Sequence, residues 1–104
     1  MNIYSNPENF GLTLINEIDF SSGSYEFDIT AVWRRNSDGA LVYADDAGCS
    51  CPGWFEGQTE KDVTTTTPAD LQAHLEQRAK AAYADYSDDR WAMQIANLMA
   101  LVIA

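Results

Sequence analysis

The feature that most constrains this chain is the strict alternation over residues 25–34, where Tyr25, Phe27, Ile29, Ala31 and Trp33 are interleaved with Glu26, Asp28, Thr30, Val32 and Arg34. Successive side chains of an extended strand point to opposite faces, so this period of two reads as a strand with one continuous apolar face. Turn clusters stand on both sides of it, Ser21-Ser22-Gly23-Ser24 before and Asn36-Ser37-Asp38-Gly39 after. Such residues start turns through their short polar side chains, and Gly adopts positive φ without penalty. Ahead of the first cluster, Leu12, Leu14, Ile18 and Phe20 share one face, with Asn16 the exception, while Thr13, Ile15, Glu17 and Asp19 share the other. Beyond the second, Leu41-Val42-Tyr43-Ala44 returns as a third strand. Two successive hairpins make an antiparallel three-stranded meander.

The shortest turn the Ser-Gly cluster allows pairs Phe20 with Tyr25. Asp19 then stands opposite Glu26, Glu17 opposite Asp28, and Ile18 opposite Phe27. Four carboxylates crowd one sheet face in that register. Directly opposed like charges destabilise a sheet by some tenths of a kcal/mol per pair, which a basic partner would offset.

The third strand leads into residues 45–56, Asp-Asp-Ala-Gly-Cys-Ser-Cys-Pro-Gly-Trp-Phe-Glu. Gly48, Gly53 and Pro52 set its path by backbone sterics, Trp54 and Phe55 anchor it by burying aromatic area, and Asp45, Asp46 and Glu56 are left at its rim. Cys49 and Cys51, at i and i+2, close only a strained ring, so reduced thiols acting as small apolar groups are expected. Metal binding or thiol regulation there is the alternative, with His74 and Asp45 or Asp46 as the available further ligands. The run from Gly57 to Thr67 is polar and unassigned.

Thr67-Pro68-Ala69-Asp70 combines an N-cap threonine, a proline at the first helical position and an early acid, so a helix begins at Pro68. Its apolar stripe is Leu71, Leu75, Ala79, Ala82 and Tyr86. Ser87-Asp88-Asp89 caps a second helix whose stripe is Trp91, Ile95, Leu98 and Val102, expected to meet the sheet through Phe27, Ile29 and Trp33. Met99, Leu101 and Ile103 make its last turns apolar nearly all round, as suits a central core element or an oligomer contact through Leu98, Leu101 and Val102. The whole is an α+β single domain, residues 1–104, with the meander packed against two C-terminal helices.

Charge narrows the function classes. Six Lys and Arg stand against sixteen Asp and Glu, a net charge of −10, and eleven of the acids lie in residues 1–62. This balance repels nucleic acid and anionic membranes and favours encounter with basic partners. The longest apolar run, residues 98–104, is too short to span a bilayer, and the amino end has no signal-peptide pattern, so a cytoplasmic protein is expected. Phosphate-binding glycine loops, dinucleotide fingerprints and the His-Glu-x-x-His signature are absent, and no cofactor is expected. The single histidine, His74, sits on a helix flank beside Leu71 and Leu75 without a Gly-x-Ser-x-Gly elbow, which argues against an enzyme.

The run Tyr25-Glu26-Phe27-Asp28-Ile29 through Val32-Trp33-Arg34, then Gly39, Leu41 and Tyr43, and Asp46-Ala47-Gly48-Cys49-Ser50-Cys51-Pro52 through Phe55-Glu56, resembles a family of short uncharacterised proteins encoded by actinobacterial phages. The resemblance covers roughly the middle half of the chain; this sequence has Gly53 and Trp54 where members usually carry a small residue and proline. It implies a phage or prophage origin and a bacterial cytoplasm, and brings no activity with it. The expected function is that of a small non-enzymatic protein that masks a basic surface of a host or phage protein, in its sharpest form by imitating a nucleic-acid backbone. The partner-binding residues are Glu17, Asp19, Glu26, Asp28, Asp45, Asp46, Trp54 and Glu56. The alternatives are an assembly protein oligomerising through its C-terminal helix, and the cysteine-based regulator.

Overall fold

A computed structural model describes residues 1–21, 26–49, 53–82 and 89–103. Strands β1 (Leu12–Asp19), β2 (Glu26–Arg35), β3 (Leu41–Cys49) and β4 (Thr64–Thr66) form one antiparallel sheet in that order, followed by helices α1 (Pro68–Ala82) and α2 (Asp89–Ile103). The fold is α+β, with four strands rather than three. The added strand is the threonine run that polarity alone left unassigned: β-branched residues suit a pleated edge, and Thr64, Thr65 and Thr66 pair with Tyr43, Val42 and Leu41. The third strand also runs further than its apolar residues suggest. Ten-residue β2 offers partners as far as Glu26, opposite Cys49, and backbone pairing carries the acidic pair Asp45 and Asp46 into β3.

The register between β1 and β2 differs from the tight-turn expectation by three residues. Asp19 faces Ile29, Ile18 faces Thr30 and Glu17 faces Ala31. The Asp19 carboxylate accepts the backbone N–H groups of Ser21 (2.9 Å) and Asp28 (3.1 Å), and the Phe20 N–H donates to the Asp28 carbonyl (2.7 Å). These bonds favour a wider connection over the tight turn, which would have set four carboxylates against each other. The expected pairing of Phe20 with Tyr25 involves a residue outside those described.

An irregularity between Leu14 and Asn16 breaks the alternation of β1. An extra residue in one strand turns every later side chain to the other face. Leu12 and Leu14 therefore join Phe27, Ile29, Ala31, Trp33, Val42 and Ala44 on one side, whereas Ile18 and Phe20 join Val32 and Leu41 on the other. Leu12, Leu14, Ile18 and Phe20, expected to share a face, are divided between two cores.

Helices α1 and α2 cover the second side. Thr67 caps α1, its hydroxyl accepting the Asp70 N–H (3.2 Å) and its carbonyl the Leu71 N–H (2.8 Å). Leu71 and Leu75 are buried, with Ala79 and Ala82 packed beside them; Tyr86 lies outside the described residues, as do Ser87 and Asp88. From α2, Trp91, Ile95, Leu98, Met99 and Val102 enter the same core, each such burial contributing roughly 1.5–3 kcal/mol. They meet Ile18, Phe20, Val32 and Leu41, not Phe27, Ile29 and Trp33. The stripe is the one its spacing indicates, but the β2 face it covers is the one with fewer apolar residues, because β1 and β3 supply the rest. Arg34, on that face, donates to the Val102 carbonyl (2.7 Å) and so brings a cation to the end of a helix whose own last turn has none.

The apolar face of β2 is covered without α-helix or strand, by irregular segments that include one 3-10 turn, Pro7–Phe10. Residues 1–11 and 53–63 fold over it, with Ile3 and Phe55 fully buried and Tyr4, Phe10, Trp54 and Val63 packed against them. The Trp33 indole donates to the Ile3 carbonyl (3.0 Å), and the Ile3 N–H donates to the Gln58 carbonyl (3.3 Å), tying sheet, N-terminal segment and loop into one layer.

Candidate functional site

The eight residues expected to form a partner surface are distributed over both sides of the sheet. On the helix side, Asp28 and Asp45 are engaged internally. Arg78 of α1 donates to Asp28 Oδ1 (2.8 Å) and to the Thr30 hydroxyl (3.2 Å), lies 3.5 Å from Asp45 Oδ1, and sits over the Phe20 ring at 5.2 Å. Thr30, with no exposed surface, donates its hydroxyl to Asp45. His74 Nε2 is 2.9 Å from Asp45 Oδ2, and its ring lies 4.5 Å from that of Tyr43. The result is a polar clamp between α1 and the sheet. Its chemistry is that of paired charges and a satisfied buried hydroxyl; Thr30 is closed to any substrate, which rules it out as a nucleophile for the adjacent His–Asp pair.

Sequence reading did not find this clamp. Its signal was the i, i+4 pair His74 and Arg78 flanking the Leu71 and Leu75 stripe, which places both on the sheet-facing flank of one helix. Asp28 and Thr30, two apart on a strand, share a face and offer the complementary acceptors.

On the loop side, Glu17 accepts the Tyr4 hydroxyl (3.0 Å), and Asp46 Oδ2 accepts the Phe55 N–H (2.7 Å). Burial, then the hydrogen bond to Glu17 and its charge, push the Tyr4 phenol up to about 12. Trp54 is half-buried, edge-on to Tyr4 at 5.1 Å between centroids, and Glu56 is exposed with its carboxylate accepting the Gly53 N–H (3.1 Å). Asp19 holds the hairpin connection and Glu26 is exposed near it. No single face gathers Glu17, Asp19, Glu26 and Asp28. By strand register Glu17 and Asp19 belong with Ala31 and Ile29, while Asp28 belongs to the opposite side with Arg78.

The loop carries its strain at an unexpected residue. Positive φ falls on Phe55 (59°) and Gly57 (78°), not on Gly48 or Gly53. For a bulky aromatic the left-handed region costs roughly 1–3 kcal/mol. Burial of Phe55 against Trp33, 5.5 Å away edge-on, and the bond from its N–H to Asp46 offset that cost. Gly48 serves close approach instead, since a Cβ there would meet the Phe27 ring at 3.2 Å. Trp54 and Phe55 anchor the segment as expected.

A family described as a domain of unknown function, DUF7574, matches residues 1–103. The chain belongs to the DUF7574 family. No curated protein matches the chain, and no solved structure matches it either.

Among the described residues of this DUF7574 domain, no group of three or more His, Cys, Asp or Glu side chains is placed to hold a metal ion. Asp45 turns to His74 while Asp46 turns to Phe55 on the other side of the sheet, so the ligand set weighed with the cysteines is divided by β3 itself. Cys51 lies outside the described residues, as does the side chain of Cys49. Of the three residues expected at an oligomer contact, Leu98 and Val102 are buried in the core and Leu101 is half exposed. No helix is long and apolar enough to cross a membrane among those described.

Proposed function

We propose that this DUF7574 domain is a small non-enzymatic binding protein that covers a basic surface of a partner protein with its loop layer. The observation that carries the reading is the charge of that layer. Residues 1–11 and 53–63 contribute Glu8, Glu56, Glu60 and Asp62 against Lys61, all exposed, and no ion pair engages these four acids among the described residues. The helix segments differ: in α1, Asp70 and Glu76 are balanced by Arg78 and Lys80. The strained, buried Phe55 supports the same reading, because backbone strain held in place by surrounding structure concentrates at functional loops. Carboxylates spread over a loop layer favour general charge complementarity over imitation of a regular phosphate backbone. The setting proposed is the cytoplasm of a bacterium carrying a phage or prophage.

The test is affinity capture from bacterial lysate with immobilised protein. A partner retained at low ionic strength and released at about 1 M salt, where the screening length falls to about 3 Å, supports the reading. It must also fail to bind the variant Glu8→Gln, Glu56→Gln, Glu60→Gln, Asp62→Asn. Retention by that variant refutes it.

A second reading has its own observation. The outward side of α2 presents Met93, Leu101 and Ile103, which are 65%, 50% and 74% exposed, with Ala92, Ala96 and Ala100 between them. This is the surface on which an assembly role would depend. Sedimentation of the parent and of Leu101→Glu with Ile103→Glu over a range of concentrations tests it: a parent that sediments as a monomer throughout eliminates this reading.

A further inference from the structure

The sheet has two edges, and they are finished differently. The β1 edge carries the irregularity between Leu14 and Asn16 and has the 3-10 turn Pro7–Phe10 beside it, both of which hinder pairing with another chain. Among the described residues the β3 edge is paired only at its start, where β4 opposes Leu41, Val42 and Tyr43. Beyond Tyr43, no backbone group of the described residues pairs with the outer side of residues 44–49. Exposure rises past that boundary: Leu41, Val42 and Ala44 are buried and Asp46 is half-buried, whereas Asp45, Ala47 and Gly48 are exposed although β2 pairs with all three on the inner side. The stretch without an outer strand partner among the described residues is about five residues long, roughly 17 Å.

From this edge we infer that residues 44–48 of β3 accept an extended, basic segment of a partner as an added strand lying end to end with β4. Strand addition supplies affinity through main-chain hydrogen bonds and selectivity through alternate side chains. The chemistry on either side of the edge selects the occupant. Asp45 on the helix side is already held by Arg78 and His74, whereas Asp46 on the loop side is half-buried and accepts the Phe55 N–H, so incoming side chains that fall on the loop side meet a carboxylate across the strand pair. Ala47 and Gly48 are small, which leaves room for long Lys or Arg stems on both sides. Asp46 of this strand accepts the N–H of Phe55, the residue before the exposed Glu56. This inference rests on the basic-partner reading and adds to it a main-chain contact at a defined strand.

The probe is a synthetic eight-residue peptide of alternating Lys and Val, compared with the same peptide N-methylated at alternate residues and with a Glu–Val peptide. Backbone amide exchange of the full chain is read residue by residue. The Lys–Val peptide is expected to slow exchange at alternate amides within residues 44–48 by about tenfold at saturation, and N-methylation is expected to weaken binding about tenfold or more, since it removes main-chain hydrogen bonds and leaves charge intact. Equal affinity for the N-methylated peptide, or protection located on α2 instead, overturns the strand addition. If the loop-layer charge variants still lose affinity for the captured partner while the edge shows no protection, strand addition alone fails. Equal protection by the Glu–Val peptide overturns the commitment to a basic segment, and with it the charge-based reading of the loop layer.

Discussion

The two sides of the sheet solve the same problem with different materials. On one, regular helices bring aliphatic side chains and a clamp of Arg78, His74, Asp28, Asp45 and Thr30 against the strands. On the other, irregular segments bring Ile3, Tyr4, Trp54 and Phe55 onto Phe27 and Trp33, held by side chains that bond to backbone groups. A helix satisfies its own main chain, so its side chains are free to pack; an irregular cover must find a partner for each buried backbone group. Trp33 and Asp46 provide such partners. The lesson is a division of labour. The helix side spends two of its carboxylates on stability, whereas the loop side leaves most of its carboxylates facing water.

The largest effect expected separates the layers by removing the centrepiece of one. Trp33→Ala deletes a fully buried indole and its bond to the Ile3 carbonyl, and is expected to destabilise by about 3–5 kcal/mol in denaturant unfolding. Amide exchange should quicken first in residues 1–11 and 53–63 while α1 and α2 keep their protection. Uniform loss throughout would mean that the two covers unfold as one.

Next in size is the clamp. Arg78→Met keeps the apolar stem and removes the charge, leaving Asp28 and Asp45 without their cation; because all three side chains are partly exposed, a loss of about 1–2 kcal/mol is expected. A double-mutant cycle with Asp28→Asn should return a coupling of roughly 1 kcal/mol or less. A cycle with no coupling would reduce the clamp to two independent surface groups.

The smallest effect is confined to alkaline solution and to the loop side. The Tyr4 phenol titrates near 10 in the unfolded chain and is pushed up to about 12 by burial and Glu17 in the fold. Its contribution is therefore complete below pH 10 and lost as pH rises from 10 towards 12. Tyr4→Phe should remove that alkaline loss in melts followed from about pH 9 upwards. An unchanged alkaline slope would detach Tyr4 from the stability of this layer.

Much of this architecture was legible in the chain. Alternation located β2, turn chemistry located the β2–β3 hairpin, and Thr67-Pro68 fixed the start of α1. What escaped was register and side. A single irregular residue in β1 sends Leu12 and Leu14 one way and Ile18 and Phe20 the other, and periodicity counted across it merges two cores into one. The same uncertainty carried the acidic-face expectation, since a three-residue change of pairing moves Asp28 to the opposite side from Glu17 and Asp19. The anchoring role of Trp54 and Phe55 was readable because it depends on residue type; the left-handed Phe55 was not, because nothing in composition places strain on an aromatic when Gly53 and Gly57 stand two residues to either side.

The central claim is that binding belongs to the loop side and stability to the helix side. A titration of the captured partner at low salt with two charge variants tests it most directly: Glu8→Gln, Glu56→Gln, Glu60→Gln and Asp62→Asn in one, Asp70→Asn and Glu76→Gln in the other. The first is predicted to lose about tenfold or more in affinity, chiefly through slower association, and to recover parity with the parent as salt rises; the second is predicted to bind as the parent does. Equal losses in both variants, or a larger loss from the helix-side pair, would contradict the division of labour between the two sides.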